Sequence, residues 1–155
     1  MLSINIEAHM IYSSKELAVA AHFADPRIFL NEAARYALPI QPKRIIRGSN
    51  RYGLVDLTLA LVMGELRSYG FSTAVAADLV RRLNLEVLRA VLDEFVAGIA
   101  DKLIICVPQQ SDLDEEFPTC VTGWQEFVHF ADDGCINSLP LDLTDILRAK
   151  LAGVF

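Results

Sequence analysis

Two helix-start signals lie close together near the front of the chain, and they restrict what the segment between them can form. Ser13 is followed three residues later by Glu16, which is the spacing of a capping box. Asp25 stands directly before Pro26, a favourable pairing of an N-cap with a proline in the first helical turn. Pro39 should end the second helix, because a proline disfavours helical geometry in the residue before it. The sequence therefore predicts two short helices around a tight turn, a helix-turn-helix arrangement.

The second helix is predicted to span residues 27–38. Its apolar residues recur at helical spacing, so one face should pack against the first helix. The residues predicted to point inward are Ile28, Phe29, Leu30, Ala33 and Ala37.

A segment without acidic residues follows, although the whole chain carries a net charge of -6. Between Glu32 and Asp56 every charged side chain is a cation. These cations are Arg35, Lys43, Arg44, Arg47 and Arg51. Gly48 and Asn50 tolerate positive backbone dihedrals, which predicts a hairpin with a Gly-Ser-Asn turn and arginines on its strands. A basic hairpin behind a helix-turn-helix is a wing, and its guanidinium groups can hold phosphate oxygens bidentately.

Further helices are predicted after the hairpin. One begins at Leu54 and ends before Gly70, one begins at Ser72, and one follows Asn84 as its N-cap. Charge separates the front of the chain from the back: residues 1–92 hold 11 Lys/Arg and 8 Asp/Glu, whereas residues 93–155 hold 3 and 12. This asymmetry is consistent with a basic working face in the front half, and equally with an ordinary solvated surface.

The span 14–83 resembles the DNA-binding domain of MerR-type transcription regulators. The features that carry the resemblance are, in order, "KELA", "DPR", "LPIQPKR", "RYGLVDL" and "LRSYGFSTAVAADLV". The resemblance implies a winged helix-turn-helix followed by two helices, with DNA contacts from cations after the turn and around the wing. By position, those contacts would come from Arg27, Lys43, Arg44, Arg47, Arg51 and Tyr52.

The second helix departs from the family pattern. The family usually has an Arg-Tyr-Tyr run where this chain has Leu30, Asn31 and Glu32. Asparagine pairs bidentately with adenine, and arginine does so with guanine. Asn31 and Arg35 are therefore the best candidates for base contacts from this helix.

Members of this family continue into a long dimerisation helix. Here the matching stripe of apolar residues is about two heptads long. It consists of Leu85, Leu88, Leu92, Phe95 and Ile99. This stripe predicts a homodimer, with the alternative that it packs on its own C-terminal region.

The back half predicts a small α+β region. Residues 102–110 form a strand candidate, 111–118 an acidic loop, 124–134 a strand or hairpin arm, and 137–155 a strand with a C-terminal helix that starts near Thr144. A metal site or a Cys-His pair for nucleophilic catalysis could be assembled from Cys106, Cys120, His129 and Cys135. Their spacings lack the close Cys-x-x-Cys pairs of structural zinc sites, and buried free cysteines are common in protein cores. We therefore expect no metal, no cofactor and no catalytic residues.

Together these patterns predict a mainly α fold with small β elements. Residues 1–83 would be a MerR-like winged helix-turn-helix, and residues 84–155 a dimerisation or partner-binding region. The expected function is sequence-specific binding of double-stranded DNA as a homodimeric transcription regulator, and not an enzyme. The alternatives are a protein-interaction module on a winged-helix fold, or a regulator whose C-terminal region binds an effector or a metal. The first residues have no basic start or apolar signal core, and the apolar runs are too short for a membrane span, so we expect a cytoplasmic protein without membrane contact.

Overall fold

The computed structural model of the protein describes residues 11–108, 119–121 and 138–152. Over these residues the protein is mainly helical with two small antiparallel sheets, which confirms the predicted α+β class. The helices are α1 (Ser14–Ala20), α2 (Pro26–Arg35), α3 (Leu54–Ser68), α4 (Thr73–Arg81), α5 (Leu85–Val96) and α6 (Thr144–Leu151). The strands are β1 (Tyr12–Ser13), β2 (Arg44–Ile46), β3 (Ser49–Tyr52), β4 (Ile104–Pro108), β5 (Thr119–Val121) and β6 (Ser138–Asp142). The acidic loop and the hairpin arm predicted at 111–118 and 124–134 lie outside the described residues.

The chain divides into two compact units, the first ending at Arg81 and the second beginning at Arg82. The first unit contains β1, α1, α2, the β2–β3 hairpin, α3 and α4. The second contains α5, β4, β5, β6 and α6.

Helices α1 and α2 begin where the sequence predicts. The Ser13 hydroxyl accepts the Glu16 N–H at 3.2 Å and the Glu16 carboxylate accepts the Ser13 N–H at 3.4 Å, which completes the capping box. Asp25 caps α2, since its carboxylate accepts the Arg27 N–H at 2.8 Å.

Helix α2 ends earlier than predicted. Ala37 has a left-handed φ of 53°, and the Leu38 N–H donates to the Ala33 carbonyl at 2.9 Å, which is a Schellman ending. The reversal brings Leu38 into the core, and burial of this large side chain offsets the cost of a left-handed alanine. Ala37 is consequently exposed and outside the helix, not inward as predicted.

The buried face of α2 is also narrower than predicted. Phe29 and Ala33 are buried and Leu30 is half-buried, but Ile28 is exposed. Phe29 packs near Phe23, with ring centroids 5.6 Å apart. The buried face of α2 is thus centred on Phe29 and Ala33, and about 100° of rotation per residue places Ile28 to the solvent side of it.

The basic segment forms the predicted hairpin, but with a different turn. Ile46 pairs with Ser49, so Arg47 and Gly48 alone form the loop, and both have positive φ, at 52° and 79°. Two-residue loops with positive φ match the right-handed twist of a hairpin. Asn50 is therefore a strand residue of β3 and not part of the turn.

Strand β1 extends the hairpin into a three-stranded antiparallel sheet in the order β1-β3-β2. Tyr12 pairs with Tyr52 and Ser13 with Arg51. Because β1 leads directly into α1, this pairing joins the hairpin base to the start of the helix pair.

Helix α3 is the core of the first unit. It is apolar around most of its circumference, as expected of a helix enclosed by neighbours, and it is buried from Leu54 to Gly64. Helix α1 packs on one part of it and α4 on another. Gly70 has a φ of 97° and ends this helix where the sequence predicts.

The second unit is built on the sheet β5-β4-β6, in which β4 is central. Residues 103–107 are fully buried. The Leu103 N–H donates to the Thr144 hydroxyl at 3.1 Å, which ties the start of the strand region to α6. The predicted strand at β4 and the predicted C-terminal helix are both confirmed.

The predicted dimerisation stripe on α5 is mostly covered by the chain itself. Leu88, Leu92 and Phe95 are buried, and the Arg148 guanidinium lies 5.5 Å from the centroid of the Phe95 ring. Ile99 is exposed, but it lies beyond the end of the helix. The expectation that these buried residues form a dimer surface is therefore wrong, because the second unit needs them for its own core.

No helix among the described residues has both the length and the apolar character needed to cross a bilayer.

Candidate nucleic-acid interface

Helix α2 exposes a polar face opposite its buried side. Arg27, Asn31 and Arg35 are all exposed and lie four residues apart, so they form one stripe along the helix. Phe29 and Ala33 hold the other side in the core. The stripe presents two cations and one amide, which are the groups that read guanine and adenine in the major groove.

Arg35 is the most restrained member of this stripe. Its guanidinium lies 3.8 Å from the Glu32 carboxylate and 5.3 Å from the centroid of the Tyr36 ring. The Arg35 side chain is nevertheless 69% exposed, so solvent screens the ion pair and it contributes little stability. Arg35 is thus held near one orientation while its donors stay accessible.

Arg67 of α3 stabilises the turn between α1 and α2 through hydrogen bonds. One guanidinium nitrogen donates to the carbonyl oxygens of Ala21 and His22, each at 2.8 Å. The same group lies 3.9 Å above the Phe23 ring. The two hydrogen bonds satisfy carbonyl groups that the end of α1 leaves without intrahelical partners. His22 has a left-handed φ of 62° at this point. The contact with the Phe23 ring is a cation–π interaction.

Gly64 permits the close approach of α1 to α3 that this arrangement requires. A Cβ atom at this position would collide with the carbonyl oxygen of Ala20 and would contact the His22 ring at 3.1 Å. Sequence reasoning missed both Gly64 and Arg67, because their partners lie more than forty residues away and no local pattern marks the pairing.

The hairpin carries three of the predicted cationic contact residues. Arg44 on β2 is directly opposite Arg51 on β3, so both side chains leave the same face of the sheet. Arg47 lies in the turn at the tip and is exposed. The result is a row of guanidinium groups along the hairpin, spaced by the strand geometry.

These guanidinium groups lack anionic partners among the described residues. Within 11–108, 119–121 and 138–152, no acidic side chain forms an ion pair with Arg27, Arg44, Arg47 or Arg51. Their charge is thus available to an anionic ligand.

Lys43 differs from the other cations of the segment. Its ammonium lies 3.8 Å from the carboxylate of Asp56, which is fully buried. The same carboxylate accepts the N–H groups of Gly53 at 3.1 Å and Gln41 at 3.4 Å. Asp56 therefore anchors both chain segments at the base of the hairpin to the start of α3, and Lys43 belongs to that anchor.

Sequence reasoning overlooked Asp56, although a signal was present. An acid three residues after an N-cap is the standard partner for the cap N–H, and Asp56 stands three residues after Gly53.

Tyr52 was predicted as a contact residue, but the structure buries it. Only 2% of its surface is exposed. Burial raises the pKa of its phenol, a hydrogen bond with the Asn50 side chain lowers it, and the charge of Asp56 raises it further, for a net increase. The assignment of Tyr52 to the interface is therefore wrong: it supports the hairpin from beneath, where Tyr12 pairs with it.

Of the cysteine and histidine residues considered as a metal or thiol site, only the Cys106 side chain is described, and it is buried. The Cys120 side chain, His129 and Cys135 lie outside the described residues. In the part of the chain that the structure describes, no three His, Cys, Asp or Glu side chains come together as metal ligands.

Comparison with known proteins assigns no family. The chain matches no family model, and no curated protein matches it significantly.

Proposed function

We propose that this protein is a sequence-specific DNA-binding transcription regulator whose first unit is a winged helix-turn-helix of the MerR type. The observation that carries the proposal is the exposed hairpin with Arg44, Arg47 and Arg51, which no described acidic side chain neutralises. Affinity for DNA depends largely on local cations that replace counterions at phosphates, and the net charge of the whole chain matters much less.

The order of elements supports the MerR-type assignment. A short strand, two helices around a turn, a hairpin and two further helices follow one another in a single unit. In such an arrangement α2 is the recognition helix, and β2–β3 is the wing.

The contact residues divide by chemistry. Arg44, Arg47 and Arg51 would take phosphate oxygens, which position the protein without reading sequence. Arg27, Asn31 and Arg35 would face base edges in the major groove. Lys43 would act indirectly, because its ion pair with Asp56 helps to hold the base of the hairpin in place.

We further propose that the protein binds DNA as a homodimer. One wing and one recognition helix make few contacts, and helix-turn-helix proteins gain affinity by pairing on two half-sites about 34–36 Å apart or a multiple of that distance. The buried residues of the α5 stripe are not the contact surface, so the dimer would use other parts of the chain.

The experiment that tests the function is recovery of duplexes bound by the purified full-length protein from a random pool. Enrichment of a defined sequence supports regulation through specific DNA binding. Binding without enrichment, or no binding at all, contradicts the proposal. In the second case an acidic protein partner becomes the better candidate for the basic hairpin.

A further inference from the structure

Ile28 is the residue of α2 that the fold leaves unexplained. Its side chain is 52% exposed, although the neighbouring Phe29 is completely buried. Ile28 lies between Arg27 and the next exposed residues of the stripe, Asn31 and Arg35. About half of this branched apolar side chain therefore lies in solvent, next to charged and polar residues of the helix.

The geometry of the helix places Ile28 beside the residue at the centre of this face. With about 100° of rotation per residue, Asn31 points almost directly away from the buried Phe29 and Ala33, and Ile28 lies about 60° round from Asn31. Residues three apart are surface neighbours, with Cβ atoms about 5–6 Å from each other. Along the helix axis the two are separated by about 4.5 Å, slightly more than the rise of about 3.4 Å between base pairs.

The major groove offers an apolar group that matches this side chain. Thymine carries a 5-methyl group there, and cytosine, adenine and guanine present only hydrogen-bonding atoms or bare edges at that position. We infer that Ile28 is a specificity-determining residue that packs on a thymine methyl, one or two base pairs from the adenine paired with Asn31. This inference rests on the proposed function. It names thymine as a base that α2 would recognise through an apolar contact and not through a hydrogen bond.

The charged residues around Ile28 favour DNA over an apolar protein partner. Arg27 directly precedes Ile28, and no described acidic side chain pairs with Arg27. Glu32, one turn after Ile28, is paired with Arg35. A protein partner that covered Ile28 would have to bury or neutralise Arg27, whereas the phosphates beside a major groove supply that neutralisation.

Replacement of thymine by deoxyuridine tests the contact, because it removes the methyl group and leaves base pairing and the O4 acceptor intact. Each thymine of the duplex recovered from the random pool is replaced in turn, and the Kd of the full-length protein is measured. One methyl group removed from an apolar contact should weaken binding about three- to five-fold at one position in each half-site.

The same series is then measured with Ile28→Ala and with the control Val75→Ala. Val75 is 47% exposed on α4, outside the recognition helix and the wing. At the sensitive position, Ile28→Ala should bind thymine and deoxyuridine duplexes equally, whereas Val75→Ala should keep the three- to five-fold difference. Circular dichroism checks that both variants are folded, which is expected because each side chain is about half exposed.

The possible failures are distinguishable. If specific DNA binding is found but deoxyuridine has the same effect on the wild type and on Ile28→Ala at every position, the role of Ile28 is refuted and the function stands. If the random pool gives no enriched duplex, the function fails and this inference fails with it.

Discussion

Arg44 and Arg51 face each other across the antiparallel pair β2–β3. Directly opposed residues of this kind have Cβ atoms about 4.5–5.5 Å apart, and like charges at that distance destabilise the pair. No described acidic side chain neutralises either guanidinium. The hairpin thus carries an electrostatic cost in the free protein that a bound polyanion would remove.

The first prediction concerns this cost. Arg44→Thr should raise the stability of the DNA-free protein by about 0.2–1 kcal/mol at low salt, because it removes the repulsion and introduces a residue that favours strands. Thermal unfolding followed by circular dichroism at about 20 mM and about 500 mM NaCl separates the two causes, because the Debye length falls about five-fold between these concentrations. The electrostatic part should disappear at high salt, and a gain that is identical at both salt concentrations would show that repulsion is absent.

The second prediction is that each of Arg44, Arg47 and Arg51 contacts a phosphate. Replacement of any one by alanine should weaken binding to all duplexes alike and reduce the slope of log K against log salt by about 0.9. Binding measured by fluorescence anisotropy over a series of salt concentrations gives the slope.

Arg81→Ala is the matched control for these variants, since Arg81 lies on α4 and its guanidinium is 2.8 Å from the Asp78 carboxylate. It removes the same charge from another part of the first unit and should leave the slope unchanged. An equal slope for all four variants would mean that the hairpin is not the contact surface.

The third prediction assigns base reading to Asn31. Asn31→Ala should lose about 1–3 kcal/mol of discrimination at one base pair, because an asparagine pairs bidentately with adenine. Its affinity for random duplex should change much less, since phosphate contacts remain. Selection from the random pool with the variant measures this directly, and a preference profile identical to that of the wild type would remove Asn31 from the reading residues.

The fourth prediction concerns the base of the β2–β3 hairpin. Asp56→Ala should destabilise the protein by about 1–3 kcal/mol, because it leaves the Gly53 N–H, the Gln41 N–H and the Lys43 ammonium without their shared acceptor. Urea denaturation measures the loss.

Two companion variants locate the effect of Asp56. Asp56→Asn keeps one acceptor oxygen and should lose less stability than Asp56→Ala. Lys43→Met keeps the buried carboxylate with its two backbone donors, and should cost less than Asp56→Ala because Lys43 is partly in solvent. If Lys43→Met is as destabilising as Asp56→Ala, the base of the hairpin is stabilised by the ion pair and not by the backbone hydrogen bonds.

The fifth prediction concerns the oligomer. Sedimentation equilibrium should give twice the chain mass of 17.2 kDa, and the enriched duplexes should have two-fold symmetry. Leu92→Glu should unfold the second unit, because Leu92 is a buried core residue there, and not merely separate the subunits. A chain that sediments at 17.2 kDa while it binds symmetric sites tightly would contradict the dimer.

Local signals in the sequence were sufficient for much of this fold. The capping box at Ser13, the Asp25 cap, the Asn84 cap and the glycine stop at Gly70 all act within one helical turn. The energetics of such caps depend on residues three or four positions apart, so the sequence alone determines them. Arg44 and Arg47 of the hairpin are exposed and Arg51 is half-buried. This too follows from the sequence, since full burial of unpaired charges would be prohibitive.

The tertiary structure decided which apolar and aromatic residues reached the core. Tyr52 is buried where Tyr12 pairs with it, Ile28 is exposed because the side of α2 that carries Phe29 and Ala33 turns toward the core, and Leu38 is buried by a left-handed Ala37. Each outcome depends on the space left by a neighbour that is distant in the chain, or on a balance between strain and burial.

The contacts of Arg67 and Gly64 are the clearest examples of interactions that could not be predicted from the sequence alone. Arg67 holds carbonyl oxygens 45 and 46 residues away, and Gly64 admits the backbone of Ala20. The sequence determined where the helices of the first unit start and where its positive charge collects. Only the tertiary structure decided how closely α1 approaches α3 and which side chains of α2 and the hairpin remain exposed, because packing depends on shapes that meet only after the chain has folded.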